Sequence, residues 1–312
     1  MKRVIFYVIA AAVALTTACK KENEDIKIAM ATEKDNVRIY LAGNGFVTID
    51  WGDGSKKTTP RLTPYGSGWD YVHLVIHQYE YAMPLVITIT GEGITHFGCE
   101  NNELTGLDVS QNTALSFLNC SNNPLRELDV RNNTALNTLV CSNNLLRELD
   151  VRNNTALTAL YCYVNQIENL DVSRNSQLLS LFCGTNHLAS LDVTKNTKMQ
   201  TLICDDNQLE NLDVKGCATL ATLNCGKYVY TPAGLGNRLT SLDVSGCASL
   251  RNLNCENNLF STGALNALFE TLHGNSITSG KDIYISNNPG TNDCDKSIAE
   301  DKGWEVKIFP YD

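Results

Sequence analysis

The chain has 312 residues, of which 43% are hydrophobic, and carries 34 acidic against 25 basic side chains, a net charge of −9. So acidic a chain is a poor nucleic-acid ligand, because neutralising phosphates takes clustered Lys and Arg. Twelve cysteines against five histidines point toward thiol or disulfide chemistry before metal chemistry.

The chain opens MKRVIFYVIAAAVALTTAC. Lys2 and Arg3 precede an apolar run, Val4 to Leu15, that is too short to span a bilayer, and Thr16, Thr17 and Ala18 follow as small residues. Residues 1–18 therefore read as an export signal. With a cysteine at the cut, the segment resembles a bacterial lipoprotein signal. That resemblance implies lipidation of Cys19, contact with the membrane through the lipid anchor only, and a place at the outer membrane or cell surface. Thr16 departs from the pattern, which has Leu three residues before the cysteine; here Leu15 lies one further out. An ordinary secretory signal that happens to contain Cys19 is the alternative. Residues 19–25, ending in KKENED, read as a charged tether. Loss of Lys2 and Arg3 leaves 23 basic against 34 acidic side chains, a net −11. No second segment is apolar enough to span a membrane.

Residues 26–93 are β-like. VRIYLAG, FVTIDWGDG and LVITITG alternate or run apolar with β-branched residues, punctuated by Gly-Asp-Gly and Pro-Tyr-Gly-Ser-Gly. VTIDWGDGS followed by HQYEYAMPLVITITG resembles the polycystic-kidney-disease (PKD) type of immunoglobulin-like sandwich. The matching residues are Trp51, Gly52, Asp53, Gly54 and either Tyr79 or Tyr81. Asp50 and Asp53 could form an acid pair, but Asp53 suits a turn closed on its own backbone.

From Ile94 a repeat begins without a linker and runs to residue 258. Cysteines fall at Cys99, Cys120, Cys141, Cys162, Cys183, Cys204 and Cys225, each 21 residues after the last, and Cys255 follows after 30. Each repeat holds two halves, Leu-x-x-Leu-x-Cys-x-x-Asn and Leu-x-x-Leu-Asp-Val-x-x-Asn. These resemble leucine-rich repeats of a 21-residue bacterial subclass. The pairs Leu118/Cys120 and Leu128/Val130 put two side chains on one face of a short strand, and stacked copies share one core. Two narrow parallel sheets with little helix are expected. The Asn column (Asn123, Asn144, Asn165, Asn186, Asn207) suits turns that bond neighbouring backbone. The frame loosens at KYVYTPAGLGN. Residues 259–312 then read as a small α/β cap: a helix at ALNALFETLHG, a strand aligning Ile283, Ile285 and Asn288 with the repeat, a short helix at DKSIAEDKG and a last strand, EVKIF. The predicted fold is mainly β: a leucine-rich-repeat solenoid preceded by an immunoglobulin-like sandwich and closed by that cap.

The cysteine ladder argues against disulfides. Stacked rungs place equivalent Cβ atoms ~4.8 Å apart and parallel, where a bridge prefers ~3.8 Å. Free core thiols are expected, with Cys217 and Cys247, which replace turn Asn residues, as the best candidates for a bridge. There is no Cys-x-x-Cys, so no metal site is expected, and no cofactor motif occurs. Neither Gly-x-Ser-x-Gly nor His-Glu-x-x-His is present, and His96 and Cys99 should face opposite sides of a strand, so no catalytic residue is assigned.

Two polar and apolar columns remain. Asp108, Asp129, Asp150, Asp171, Asp192, Asp213 and Asp243 could suggest Ca²⁺. Neighbouring carboxylates ~4.8 Å apart in water repel by only ~0.9 kcal/mol, and Arg131, Arg152 and Lys215 lie close, so the column reads as structural. The outward residues beside each Cys run Gly98, Asn119, Val140, Tyr161, Phe182, Ile203, Asn224 and Asn254, with Tyr163 alongside and Phe117 near the edge. The Asp half shows Glu127, Glu148, Asn169, Ser190 and Asn211. An apolar stripe of Val140, Tyr161, Tyr163, Phe182 and Ile203 is therefore the expected ligand patch, for a protein or glycan. The alternatives are packing of the stripe against the N-terminal sandwich or a second copy, a partner site in KYVYTPAGLGN, and a purely structural envelope spacer.

Overall fold

The computed structural model describes residues 26–66, 73–227, 236–275 and 280–308. Cys19, the segments 1–18 and 19–25, and residues 228–235 of the KYVYTPAGLGN insertion lie outside the described residues. The chain divides after Leu157 into two compact units.

The first unit opens with strands β1 (Ile26–Thr32), β2 (Asn36–Gly43), β3 (Gly45–Asp50), β4 (Arg61–Leu62), β5 (His73–Gln78) and β6 (Leu85–Gly91). Alternation places one face of each in a core: Leu85, Ile87 and Ile89 are buried on β6 while Val86, Thr88 and Thr90 are half-exposed. The strands pair antiparallel in two sheets, β4-β3-β6-β1 and β5-β2. Trp51 is buried between them. Its indole N–H donates to Thr58 Oγ1 at 2.9 Å, and its carbonyl accepts from the Tyr79 hydroxyl at 2.9 Å. The sequence left Tyr79 and Tyr81 open; Tyr79 is 4% exposed and Tyr81 70%. Asp53 holds its turn, accepting from the Ser55 backbone N–H and lying 2.9 Å from His77 Nε2. Gly52 has φ +78°, and a Cβ there would lie 2.5 Å from the Val86 carbonyl oxygen, so only glycine fits.

The first repeat joins these sheets directly. β7 (Ile94–Gly98) pairs antiparallel with β2, and β8 (Gly106–Asp108) pairs antiparallel with β1. Strands β9 (Phe117–Asn119) and β10 (Thr138–Val140) then stack parallel on β7, with Phe97, Leu118 and Leu139 in register. The second unit continues the pattern with β11 (Ala159–Tyr161), β12 (Ser180–Phe182), β13 (Leu191–Asp192), β14 (Thr201–Ile203), β15 (Leu212–Asp213), β16 (Thr222–Asn224) and β17 (Asn252–Asn254). Helix α1 (Thr262–Thr271), β18 (Asp282–Tyr284), helix α2 (Ser297–Glu300) and β19 (Glu305–Lys307) follow. Leu160, Leu181, Leu202, Leu223, Leu253 and Ile283 form one in-register column, all fully buried. The fold is a leucine-rich-repeat solenoid, mainly β. Helix α1 starts at Ser261, whose hydroxyl accepts from the Ala264 N–H at 3.2 Å.

The Asp halves differ from expectation. In the second unit they form only a two-stranded sheet, β13 with β15. Paired or not, each half closes the same turn: Asp171 accepts the backbone N–H of Ser173 and Asp192, on β13, that of Thr194, at 3.0 and 2.9 Å. Asp129 in the first unit does the same with Arg131, whose guanidinium also pairs with it at 2.7 Å. The column is a set of turns.

All eleven described cysteines are buried and outside any disulfide, Cys217 and Cys247 included. Cys217 Sγ lies 3.9 Å from the carbonyl oxygens of Val193 and Asn196. Asn196 meets the equivalent carbonyls, of Val172 and Asn175, with its amide, so the thiol occupies an asparagine's place.

The Asn column does more than shape turns. Asn186 Nδ2 donates to the carbonyls of Cys162 and Cys183 at 3.0 and 3.1 Å, while its Oδ1 accepts from the Ile167 N–H at 3.0 Å. One side chain thus satisfies buried backbone on two rungs. Asn186→Ala strands these groups at about 1–3 kcal/mol each and should lower unfolding free energy by about 3 kcal/mol or more. Urea denaturation measures it; a loss below about 1 kcal/mol contradicts the ladder's role.

Candidate functional site

In the second unit the Cys half presents Tyr161, Phe182 and Ile203 in strict register on β11, β12 and β14. The other outward position of these strands carries the smaller Ala159, Ser180 and Thr201. Large apolar groups therefore stand beside small ones. The rings of Tyr161 and Phe182 stack with centroids 4.9 Å apart and planes at 28°, a geometry worth about 0.5–1.5 kcal/mol. Each of the three is half-buried rather than fully exposed, since adjacent rungs cover their flanks. Tyr163, two residues along from Tyr161, is 37% exposed. Val140 is half-buried on β10 and belongs to the first unit; the second unit holds the other four predicted residues.

Val164 lies beside this candidate patch and was not singled out by the sequence. It is 40% exposed and adopts φ +53°, a left-handed backbone that a β-branched residue resists. Equivalent rungs place asparagine there: Asn101, Asn122, Asn143, Asn257 and Asn287 all have φ between 53 and 58°. Val164, Thr185 and Asp206 keep the left-handed φ without asparagine, on the rungs of Tyr161, Phe182 and Ile203, whereas Lys227 at the next equivalent position is neither asparagine nor left-handed. The break in that asparagine column was visible in the sequence, but its meaning depended on φ.

Asp205 is a second residue beside the candidate patch that the sequence did not single out. It lies two residues along from Ile203, is 2% exposed, and its Oδ1 has no hydrogen-bond partner. Gly184 makes room for it, since a Cβ at 184 would come 2.4 Å from that oxygen. Burial, reinforced by the neighbouring charge of Asp206, pushes the Asp205 carboxyl up to about 7.

The ladder thiols do not suit nucleophilic or metal chemistry. Burial pushes Cys120, Cys162 and Cys225 up to about 12, so they stay protonated at neutral pH. Cys99 is fully buried while His96 is half-exposed on the outer face. Among the described residues no group of three or more His, Cys, Asp or Glu is placed to hold a metal ion. A cavity of about 760 Å³ lies on the Asp half of the first unit, lined by Arg126, Arg147, Glu127 and Glu148 with the Arg131–Asp129 pair. Its mixed charges favour no one ligand class.

No protein-family model matches the chain, and no curated protein does. Among solved structures it is similar to the functional domain of InlJ from Listeria monocytogenes, described as including a cysteine ladder. The two share 33% identity with a TM-score of 0.54, over 66% of this chain and 47% of that one. An internalin from the same organism shares 17% identity with a TM-score of 0.53, over 70% and 62%. A leucine-rich-repeat protein of Leptospira interrogans shares 20% identity with a TM-score of 0.50, over 64% and 56%. The last two show the repeat fold alone. The chain spans less than two thirds of each of these proteins.

Two substitutions test the site's physics. Val164→Asn should raise unfolding free energy by about 1 kcal/mol, because asparagine tolerates the left-handed region; equal or lower stability by urea denaturation contradicts the strain. Asp205 binds its proton more tightly folded than unfolded, so stability falls as pH rises from about 4 to about 7, by up to roughly 4 kcal/mol. Below that window both states are protonated and the effect vanishes. Asp205→Asn should thus be more stable than the parent at pH 8, with the gap closing by pH 4. A gap that does not change with pH removes the argument.

Proposed function

We propose that this chain is a surface-displayed bacterial binding protein, not an enzyme, whose second unit grips a protein or glycan partner through Tyr161, Tyr163, Val164, Phe182 and Ile203. In this reading Cys19 carries the lipid anchor at the outer membrane or cell surface. Residues 26–93 form a PKD-like domain, residues 94–258 the repeats, and residues 259–312 a cap shielding the last rung.

One observation carries the reading. The rungs that bear the large apolar side chains are the same rungs that give up asparagine at the left-handed position. Val164 holds an exposed apolar side chain in a backbone that costs about 1–2 kcal/mol. Strain of that kind persists where the surrounding structure holds it, and it concentrates at binding sites. Aromatic anchors beside a rigid ladder need little ordering on contact, which favours affinity.

The test uses the purified chain as bait against intact cells and host extracts. Tyr161→Ala/Phe182→Ala should abolish capture, since a central aromatic anchor commonly contributes about 2 kcal/mol or more. The double variant should lose only about 1–2 kcal/mol of stability, because its rings are half-exposed and pack chiefly on each other. Capture that survives the substitution rejects the patch. If only self-association is lost, the patch is a contact between copies.

A further inference from the structure

We propose that the first unit carries a separate recess that receives the guanidinium of an arginine presented by a protein partner. The recess encloses about 480 Å³ on the outer face of the Cys-half sheet, where Tyr40 of β2, Gly98 of β7 and Phe117 of β9 meet, together with Tyr65, His96 and Glu100.

Its shape comes from a missing side chain. Gly98 stands where the following rungs carry Asn119 and Val140. A Cβ at Gly98 would come 3.1 Å from Glu100 Oε2 and 3.2 Å from Tyr40 Cβ. Glycine therefore leaves open the space that a larger residue would take from the carboxylate.

The walls are aromatic. His96 is sandwiched between Tyr65, at 4.3 Å, and Phe117, at 5.7 Å, with both ring pairs within 16° of parallel. Tyr65 keeps 48% of its surface exposed although His96 covers one face. The imidazole supplies no counter-charge. Its Nδ1 lies 3.0 Å from Thr95 Oγ1, and burial holds its pKa below the ordinary histidine value.

The floor is a carboxylate oxygen that lacks a partner. Glu100 Oε2 is buried without a hydrogen bond. Such an atom is costly unless something else completes it, and unsatisfied buried groups in native proteins call for a ligand or a role. A cation completes it. Flat guanidinium also stacks on ring faces and pairs with carboxylate, whereas lysine offers only a point charge. The chain's net charge of −9 draws basic partners toward it. The recess shares no residue with the Tyr161 patch, so each proposal can fail without the other.

The full chain is titrated with N-acetyl-L-arginine amide by calorimetry and by NMR of the histidine rings. Weak, saturable binding that shifts a single imidazole, lost in His96→Gln, is expected. Glu100→Gln, close in shape, should weaken it about tenfold, and the neutral citrulline analogue should bind about tenfold less well than arginine. Tyr65→Ala, at an exposed ring, should weaken it severalfold, while Tyr161→Ala leaves it unchanged. Equal affinity for the citrulline analogue, or indifference to Glu100→Gln, overturns the proposal. So does preferential binding of methyl glycosides, which would make the recess a sugar site, and so does the absence of any binding.

Discussion

Buried backbone must find hydrogen-bond partners, and where each rung bends past its three-residue strand, groups such as the Cys162 carbonyl need partners beyond the backbone ladder. Here the Asn column supplies them. Asparagine is short enough to fit inside a rung and offers two donors and an acceptor. Asn144 ties the carbonyls of Cys120 and Cys141 to the Leu125 N–H, and Asn207 does the same for Cys183, Cys204 and Leu188. These bonds fix the spacing of successive rungs. A fixed spacing leaves a core column of constant width, which leucine fills at one position and cysteine at the next. Cysteine suits the narrower place as a small hydrophobe with a weak donor; Cys225 and Cys255 Sγ each lie 3.4 Å from the carbonyl of the following rung.

A scaffold this regular makes its irregularities informative. The left-handed position tolerates asparagine well, and most rungs use it. Val164, Thr185 and Asp206 depart from it without any gain in folding that the ladder explains. The ladder's own hydrogen bonds hold these backbones in place, since Asn186 and Asn207 remain immediately after Thr185 and Asp206. Local strain can therefore be carried without loosening the rung, and the side chain at that position is free to serve something other than stability.

The architecture was legible in the sequence because its signal is repeated. One 21-residue period gives the register, the buried Leu and Cys columns and the turn asparagines. The Trp51 turn was legible as well, but the choice between Tyr79 and Tyr81 was not, because both lie a plausible distance along the chain and only the packed partner, the Trp51 carbonyl, separates them. The parallel sheet expected of the Asp halves shrinks to β13 and β15, and the turn that each Asp closes on its own backbone, on those two strands as well, is not something composition reveals. The apolar column of Tyr161, Phe182 and Ile203 was readable as spacing, whereas the strain at Val164 is a dihedral angle. Gly98 and Tyr40 come together through the pairing of β7 with β2, which no local pattern encodes.

Glycine makes room for an acid at two places, one in the outward column and one two residues past it. At Gly98 it leaves room for Glu100, and at Gly184 for Asp205, so in each case an acid settles where a side chain is missing. The two acids share a problem, a carboxylate oxygen withdrawn from water without a partner, and burial raises both pKa values. What differs is access. Asp205 is almost wholly enclosed by its own rungs, so the proton is the species that can reach and neutralise it. Glu100 borders an open recess walled by aromatic rings, so a cation larger than a proton can do the same. Two glycine-made spaces thus yield a pH-dependent element of stability in one unit and a place for a charged ligand in the other, and solvent access decides between them.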